Sequence, residues 1–296
     1  MTIAARVFIV GCPRSGTTLA QAMLGAHPDV LTFPETHFFR KIYGRLWPWR
    51  RVGVVSPRAA NAALASLCTL VDEPAGDHRV RSLRARAYES EFVTVVDRAT
   101  AARNRHAWVE KSPSHLHSVD EISGAVPGAR FVHVVRDGVD VVNSFYAVCQ
   151  HTPGWTRQVL APRERRDLDT AAGRQRLLTA IANRWNDDIA LSAALVTRDE
   201  HVALRYDDLT TDAERALTPV CAFLRLPFDR LMLDHTRVVD DVVGARRDKQ
   251  HMQSVLTSLQ ERAAVGDGGS PLSDDDRQLV VSALRAGGDL DRVGPW

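Results

Sequence analysis

The sequence contains little cysteine and almost no net charge. Its four cysteines, Cys12, Cys68, Cys149 and Cys221, are widely spaced without a C-x-x-C pair, which argues against a structural zinc site or a dense disulfide framework. We expect all four to be reduced and buried, as free cysteines usually are. The formal net charge of +2 does not indicate nucleic-acid binding.

The sequence also lacks a long apolar run. No stretch approaches the roughly 20 apolar residues that a membrane-spanning helix needs. The first apolar run, residues 7–10, is too short for a secretory signal and leads directly into a loop. We therefore expect no membrane span and a cytoplasmic location. The chain is rich in Ala, Arg and Val, which indicates a GC-rich coding sequence and predicts a bacterial source.

What the chain does have is an ordinary globular composition. Of its 296 residues, 45% are hydrophobic and 25% are charged, which is enough apolar material for a large core. Short β-branched runs alternate with helical stretches, a pattern typical of βαβ units and a parallel sheet covered on both faces. The predicted strands are Val7–Val10, Val30–Phe33, Ala107–Val109, Phe131–Val135 and Val202–Leu204. The predicted helices are Thr17–Ala26, several within 58–103, Val119–Gly124, Val139–Gln150 and Arg174–Val196.

We interpret the whole chain, 1–296, as a single α/β domain. The segment 40–105 has no convincing strand and is predicted to be a helical insertion between the second and third strands. Proline, glycine and clustered charges in 151–173 predict a loop or lid. The region 212–296 is predicted to be helical, and Ser273, followed by three aspartates, is expected to cap a helix there.

The segment "GCPRSGTT" joins the first strand to the first helix. Gly11 and Gly16 have the G-x-x-x-x-G spacing of a nucleotide-binding loop, and a helix N-terminus at such a turn favours an anion. Thr17 replaces the lysine that nucleoside triphosphate enzymes need, and Arg14 supplies charge instead. Asp137 is the nearest acidic candidate for a metal ligand, but Arg136 separates it from the predicted strand Phe131–Val135. The sequence therefore predicts an anion bound without an obligatory metal.

The stretch "GCPRSGTTL" resembles the 5′-phosphosulfate loop of sulfotransferases that use 3′-phosphoadenosine 5′-phosphosulfate (PAPS). Its Pro-Arg-Ser-Gly-Thr-Thr form is similar to the protein-tyrosine and bacterial branches, whereas the cytosolic aryl branch has Pro-Lys-Ser-Gly-Thr-Thr. The resemblance implies a P-loop-type three-layer fold with a central, mostly parallel five-stranded sheet, and PAPS as cosubstrate without a metal. It also implies that the loop contacts PAPS through Pro13, Arg14, Ser15, Gly16, Thr17 and Thr18.

A second motif is "RFVHVVRDGVDVVNSFY", in which Arg136 follows a predicted strand and Ser144 lies eight residues later on a helix. An arginine at a strand end and a serine two turns into the next helix can converge on a second phosphate, which the planar guanidinium suits. In the sulfotransferases that this motif resembles, an Arg and a Ser at this spacing bind the 3′-phosphate of PAPS. The alternative role for Arg136 is a salt bridge to Asp137 or Asp140.

Sulfuryl transfer needs a base for the acceptor proton. The stretch "LTFPETHFF" follows the second strand, at the edge where open α/β sheets bind ligands, and offers Glu35 and His37. In the glycan and protein-tyrosine sulfotransferases that it resembles, the glutamate is the base, so we rank Glu35 first and His37 second. The apolar side chains of Phe33, Phe38 and Phe39 are expected to raise the pKa of Glu35.

The transfer also needs cations near the loop. Lys111, in "WVEKSPSHL", is expected just after the third strand, where it would stabilise charge together with Arg14. Glycan sulfotransferases have a similar Glu-Lys-Ser-Pro stretch with the lysine in the active site. The cytosolic aryl branch has a catalytic histidine two residues after its lysine. Here Pro113 occupies that position, which favours Glu35 as the base.

Three further groups of residues complete the candidates. Tyr206, in "VALRYDDL", matches a position that contacts the cosubstrate in the family. His115 and His117 are expected on the turn after the third strand, in structural or substrate-facing roles. A basic stretch near the C-terminus either closes on PAPS or forms a solvated turn: Arg246, Arg247 and Lys249.

The predicted function is transfer of a sulfuryl group from PAPS to a hydroxyl, or less favourably an amine, with Glu35 as general base. The expected acceptor is a small molecule, glycan or lipid, and the chain is compatible with a homodimer. A P-loop-type phosphotransferase or kinase is one rival, disfavoured by the absent lysine and acidic metal site. A non-enzymatic anion-binding module is the other, and it does not require both Glu35 and Lys111.

Overall fold

A computed structural model describes residues 2–43, 52–238, 242 and 272–285. Its strands are β1 (Ala5–Gly11), β2 (Val30–Thr32), β3 (Ala107–Lys111), β4 (Ala129–Val135) and β5 (His201–Arg205). They form one parallel sheet in the order β2-β3-β1-β4-β5. The predicted α/β fold with a parallel five-stranded sheet is confirmed.

Helices connect the strands and extend beyond the sheet. They are α1 (Thr17–Gly25), α2 (Phe38–Tyr43), α3 (Pro57–Val71), α4 (Ala85–Ala102), α5 (Val119–Ala125), α6 (Gly138–His151), α7 (Ala171–Leu195), α8 (Tyr206–Thr211), α9 (Ala213–Leu224) and α10 (Asp274–Ala283). Short 3₁₀ helices lie at Ala75–His78, Pro113–Ser118, Pro153–Gln158, Pro162–Arg165, Arg230–Leu233 and His235–Val238. Three of the helices, α2 to α4, occupy the segment between β2 and β3.

The sheet is buried on both faces. Because side chains alternate along a strand, Phe8 and Val10 of β1 pack on one face, and Val7 and Ile9 pack on the other. Residues of α2 to α5 cover the first face, and residues of α1 and α9 cover the second. Together these contacts form the three layers that the sequence predicts.

The register brings the carboxyl ends of the strands together. In β1, Val7 pairs with Val109 and Ile9 with Lys111 of β3, while Gly11 pairs with Val134 of β4. Since all five strands are parallel, the segments that follow them meet at one edge of the sheet. That edge holds every candidate motif from the sequence that falls within the described ranges.

Some boundaries differ from the sequence-based ones. The third strand continues to Lys111 rather than ending at Val109, because its last residues also pair with β1. Helix α7 begins at Ala171, so the end of the expected lid 151–173 is helical and the rest includes two 3₁₀ helices. Ser273 caps α10 as predicted, its hydroxyl accepting from the Asp276 amide at 3.2 Å.

Two further expectations concern the cysteines and membrane spans. All four cysteines are free and buried, which confirms the predicted burial. No helix in the part of the chain that the structure describes is long and apolar enough to cross a membrane.

The single-domain interpretation of 1–296 stays a prediction. The basic stretch with Arg246, Arg247 and Lys249 lies outside the described residues.

Candidate functional site

The loop between β1 and α1 has the backbone of an anion-binding turn. Gly11, Arg14 and Gly16 have φ angles of 143°, 79° and 91°, and alternating conformations of this kind turn successive amides toward one point. No side chain among the described residues caps the N-terminus of α1, which begins at Thr17. Its first amides and the positive end of its dipole are therefore available to a negative group.

A cation from the neighbouring strand replaces the missing loop lysine. Lys111 ends β3, and its side chain is only 1% exposed. Its Nζ donates to Thr18 Oγ1 at 3.1 Å and forms an ion pair with Glu35 Oε1. The positive charge that other nucleotide-binding loops carry within their own sequence thus reaches this loop from β3.

Glu35 is held between two basic side chains. Besides the ion pair to Lys111, its Oε2 lies 3.1 Å from His37 Nε2. Burial raises the pKa of Glu35, but the charge of Lys111 and the contacts with His37 outweigh it and hold the pKa well below its usual range. The expectation of a raised pKa is wrong, because Phe38 and Phe39 pack into the core and the carboxylate faces Lys111 and His37 instead.

A second basic cluster adjoins the loop. Arg14 Nε donates to Ser144 Oγ at 3.1 Å, so the two predicted anion sites are in direct contact. The Arg136 guanidinium lies 4.2 Å from the ring centroid of Tyr206, and that ring packs against Gly16. Burial, followed by repulsion from Arg136, lowers the pKa of Arg14 to about 10. Positive charge is thereby concentrated in a partly buried space, which suits a phosphate.

Arg136 forms the salt bridge to Asp140 that was predicted as its alternative role, and one of its N–H groups remains without a hydrogen bond among the described residues. Its Nη2 lies 3.3 Å from Asp140 Oδ2, and its carbonyl accepts from Trp185 Nε1 at 3.1 Å. Its Nε is buried without a hydrogen-bond partner among the described residues. A buried unpaired guanidinium N–H is costly, and a bound anion would satisfy it.

A cavity of about 300 Å³ joins the loop to the acid–base pair. Most of the predicted catalytic and loop residues line it: Pro13, Arg14, Thr17, Thr18, Glu35 and Lys111. His37, the second-ranked base, lines it too. Ser15 is instead buried beneath the loop. Arg136, Ser144 and Tyr206 belong to the adjoining basic cluster, which Arg14 links to the cavity.

A second cavity, of about 500 Å³, adjoins the first. The two share Pro13, Arg40, Ser114 and Gln158. Arg157 and Arg184 also line the second cavity, and its described lining residues include no Asp or Glu. Arg184 pairs with Asp188, which leaves Arg40 and Arg157 as the exposed arginine side chains of this chamber. We call it the arginine chamber.

Comparison of the sequence with known families gives a direct match. The sequence profile of the Sulfotransferase family matches residues 6–230, a range that contains both anion sites and the acid–base pair. The chain belongs to the sulfotransferase family. The resemblance drawn from the loop motif is therefore confirmed.

Similar curated proteins come from several animals. This family member is 26% identical over 245 residues to protein-tyrosine sulfotransferase 1 of Danio rerio, covering 82% of this chain and 59% of that protein. It is 25% identical over 246 residues to protein-tyrosine sulfotransferase 2 of Gallus gallus, covering 82% and 57%. The chain thus spans somewhat more than half the length of these two relatives.

Solved structures share the fold of this family member. The sulfotransferase domain from the curacin biosynthetic pathway superposes with a TM-score of 0.58 at 16% identity, covering 96% of this chain and 98% of that one. The sulfotransferase domain of the Synechococcus PCC 7002 olefin synthase gives 0.52 at 20% identity, covering 95% of each chain. At these identities the likeness establishes the fold.

Sequence reasoning missed two acidic residues in this sulfotransferase family member. Glu110 is fully buried beside Lys111 and receives a hydrogen bond from His115 Nδ1 at 3.0 Å. Asp188, on α7, pairs with His117 at 2.8 Å and with Arg184 at 2.6 Å. The available signal for Glu110 was its position next to Lys111 in the quoted "WVEKSPSHL" stretch, whereas Asp188 lay in a long helix without a distinguishing motif.

The described ranges hold no cluster of three or more His, Cys, Asp or Glu residues suited to a metal ion. Asp137, the nearest acidic candidate in the sequence, instead caps α6, its carboxylate accepting from the amides of Val139 and Asp140 at 2.8 and 3.2 Å. The charged side chains that line the cavity at the loop are Arg14, Lys111, Arg40 and Glu35.

Proposed function

We propose that this chain is an enzyme that transfers a sulfuryl group from PAPS to a hydroxyl group of an acceptor. The observation that carries the proposal is the connected series Glu35–Lys111–Thr18. It brings a carboxylate and a lysine side chain to the N-terminus of α1, where an anion is favoured. Anion binding alone would not need a carboxylate at this position.

The basic cluster supports PAPS as the donor. Loop amides and Arg14 would hold the 5′-phosphosulfate, and Arg136 with Ser144 would hold the 3′-phosphate. The fit rests on the buried Arg136 Nε, which needs an acceptor, and on the uncapped start of α1. PAPS supplies the activated sulfuryl group when bound, and the protein supplies position and charge.

We propose Glu35 as the general base. Lys111 and His37 keep the pKa of Glu35 low, so the carboxylate is ionised at neutral pH. It becomes basic enough to accept the acceptor's proton when Lys111 turns from Glu35 to the negative charge of the donor. In that step the acceptor oxygen bonds to sulfur, the bond from sulfur to the phosphate oxygen breaks, and Glu35 receives the proton. Lys111 and Arg14 stabilise negative charge on the departing phosphate and the sulfuryl oxygens. His37 orients Glu35 by holding its second oxygen.

The arginine chamber indicates the kind of acceptor. Arg40 and Arg157 are exposed within it, so carboxylates next to the acceptor hydroxyl would be favoured. The similar curated proteins are named protein-tyrosine sulfotransferases. We therefore propose a tyrosine flanked by acidic residues as the first acceptor to test, ahead of the small-molecule, glycan and lipid hydroxyls.

A labelled-donor assay tests the function. Wild-type protein with [³⁵S]PAPS should label an acidic tyrosine peptide, and Glu35→Gln should lower the rate at least about 100-fold while retaining PAP (3′-phosphoadenosine 5′-phosphate) binding. Glu200→Gln, a change at a partly exposed carboxylate, is the matched control and should transfer normally. ATP hydrolysis or a requirement for magnesium would instead favour a phosphotransferase. Nucleotide binding without transfer to any hydroxyl acceptor would favour a binding module.

The acceptor is tested with matched peptides. Replacing the peptide's acidic residues by their amides should lower transfer, and Arg157→Ala should reduce that difference. Arg163→Ala, at an exposed arginine outside the chamber lining, should leave the preference intact. Equal rates with both peptides would contradict the acidic acceptor while leaving the transfer reaction standing. A cytoplasmic location, a bacterial source and a homodimer stay predictions.

A further inference from the structure

Glu110 lies at the centre of a buried hydrogen-bond network behind the acid–base pair. Its side chain is 0% exposed. Oε1 accepts from the Thr36 amide at 3.3 Å, from Thr36 Oγ1 at 2.7 Å and from Ser112 Oγ at 2.6 Å. Oε2 contacts His115 Nδ1 at 3.0 Å. Thr36 and Ser112 directly follow Glu35 and Lys111, so one carboxylate binds the neighbours of both groups.

Side-chain hydrogen bonds to Glu110 replace backbone pairing beyond the end of β2. Strand β2 has three residues, and its ladder with β3 ends at Thr32 and Val109. The following segment, which carries Glu35, is attached to β3 by side chains instead. Ser112 Oγ accepts from the His37 amide at 2.9 Å, adding a second attachment point next to that at Thr36.

This attachment holds an unfavourable backbone conformation. His37 has a φ angle of 50°, in the left-handed region that costs a non-glycine residue about 1 kcal/mol or more. The turn persists because hydrogen bonds fix the two consecutive amides of Thr36 and His37, which lead into the strained torsion of His37. The turn in turn places both Glu35 and His37 toward the cavity.

Glu110 itself does not face the cavity. Adjacent residues in a strand point to opposite faces, and Lys111 contacts the loop side while Glu110 contacts His115, which packs against Phe8 and Phe39. Burial raises the pKa of Glu110, but His115, Ser112 and Thr36 outweigh it and bring the pKa to about 2. The group is therefore a stable anion within the core, available to accept hydrogen bonds.

We propose that Glu110 is a positioning residue for the transfer reaction, which fixes the turn 34–37 through Thr36 and Ser112 so that Glu35 meets Lys111. The proposal rests on the proposed function. Its prediction is that loosening the turn lowers the chemical step while leaving donor binding intact, since the donor-binding residues are on other elements. A one-ångström displacement of a reacting group is enough for a loss of about 100-fold.

The test compares two buried threonines. Thr36→Val removes the hydroxyl that donates to Glu110. Because the same hydroxyl accepts from the Phe38 amide at 3.1 Å, that amide is left out of the exchange comparison. Thr100→Val removes an equally buried hydroxyl, which donates to the Val96 carbonyl at 2.7 Å within α4, far from the turn in the chain. Thr36→Ser keeps the hydroxyl and is the conservative variant. All three are measured as full-length chains by hydrogen exchange of peptides covering 33–40, by PAP affinity, and by kcat and KM.

We expect Thr36→Val to increase exchange in 33–40 at least about tenfold over Thr100→Val, and to lower kcat at least about tenfold with PAP affinity unchanged. Thr36→Ser should restore both. The proposal would be overturned if hydrogen exchange in 33–40 were no faster in Thr36→Val than in Thr100→Val. It would also be overturned if Thr36→Val lost kcat and PAP affinity in parallel. If wild type transfers no sulfuryl group, the proposed function fails, and the exchange comparison still decides whether Glu110 fixes the turn.

Discussion

Arg14 and Ser144, which are 130 positions apart in the sequence, meet through one hydrogen bond from Nε to Oγ at 3.1 Å. Arg14 belongs to the loop after β1, and Ser144 lies on α6 after β4. Because β1 and β4 are adjacent and parallel, the segments after them are neighbours. The bond thus links the proposed site for the 5′ group to the proposed site for the 3′-phosphate.

Arg136→Ala should remove discrimination between PAP and AMP. The guanidinium is the proposed partner of the 3′-phosphate, and hydrogen bonds to charged groups contribute about 1.5–3 kcal/mol, so PAP affinity should fall about 10- to 100-fold. Thermal shift and calorimetry with PAP, ADP and AMP measure the change. Arg198→Ala, which breaks an exposed ion pair with Asp120, should preserve the preference. If Arg136→Ala preserved it as well, Arg136 would have another role.

Lys111→Met should slow transfer and change its pH dependence. Without Lys111, the pKa of Glu35 rises, because the largest contribution that lowers it is lost while burial still raises it. We expect kcat to fall about 100- to 1,000-fold. In the variant, kcat should increase with pH as Glu35 loses its proton. In wild type, kcat should not change with pH near neutrality, because Glu35 is already ionised. Lys41→Met, on α2, is the control. A flat pH profile in Lys111→Met would argue against Glu35 as the base.

Gly16→Ala should abolish nucleotide binding. A Cβ at this position would lie 2.2 Å from Tyr206 Cδ2, and the φ angle of +91° is itself unfavourable for alanine. The Tyr206 ring would have to move, which would disturb Arg136. Gly124→Ala, where a Cβ meets nothing within 4 Å, should bind PAP normally. Normal PAP binding by both variants would show that the ring and the loop move independently.

Glu110→Gln should weaken the acid sensitivity of folding. The carboxyl titrates near 4.5 when unfolded and near 2 in the folded chain, so its ionised form stabilises the protein above about pH 4.5. That stabilisation is lost as the pH falls toward 2. Urea unfolding at pH 6 and pH 3 should therefore show a smaller difference in the variant than in wild type. Glu200→Gln serves as control, and an unchanged difference in Glu110→Gln would contradict the lowered pKa.

The parts of the site that local sequence determines were predictable. The loop residues and Arg136 follow strands directly, Lys111 ends one, and a parallel sheet gathers such positions at one edge. The glycines of "GCPRSGTT" carry their conformational requirement in their identity. The alternation of apolar runs predicted the strands and several helices, whereas the order of the strands in the sheet was not predicted.

The rest depended on side chains meeting across distant segments. The pKa of Glu35 was predicted in the wrong direction because the neighbouring phenylalanines are visible in sequence, whereas the orientation of the carboxylate toward Lys111 is set by tertiary structure. Asp188 reaches His117 from α7, and no periodic pattern encodes such a contact. Glu110 lay beyond the predicted end of the third strand at Val109, and its role depends on hydrogen-bond donors from Thr36, Ser112 and His115.

Tyr206 contacts both Gly16 and Arg136. One aromatic ring therefore supports the loop proposed for the 5′ group of the donor and the arginine proposed for its 3′-phosphate. A shift of that ring would alter both ends of the nucleotide site together, so the two phosphates would be bound or released as a unit.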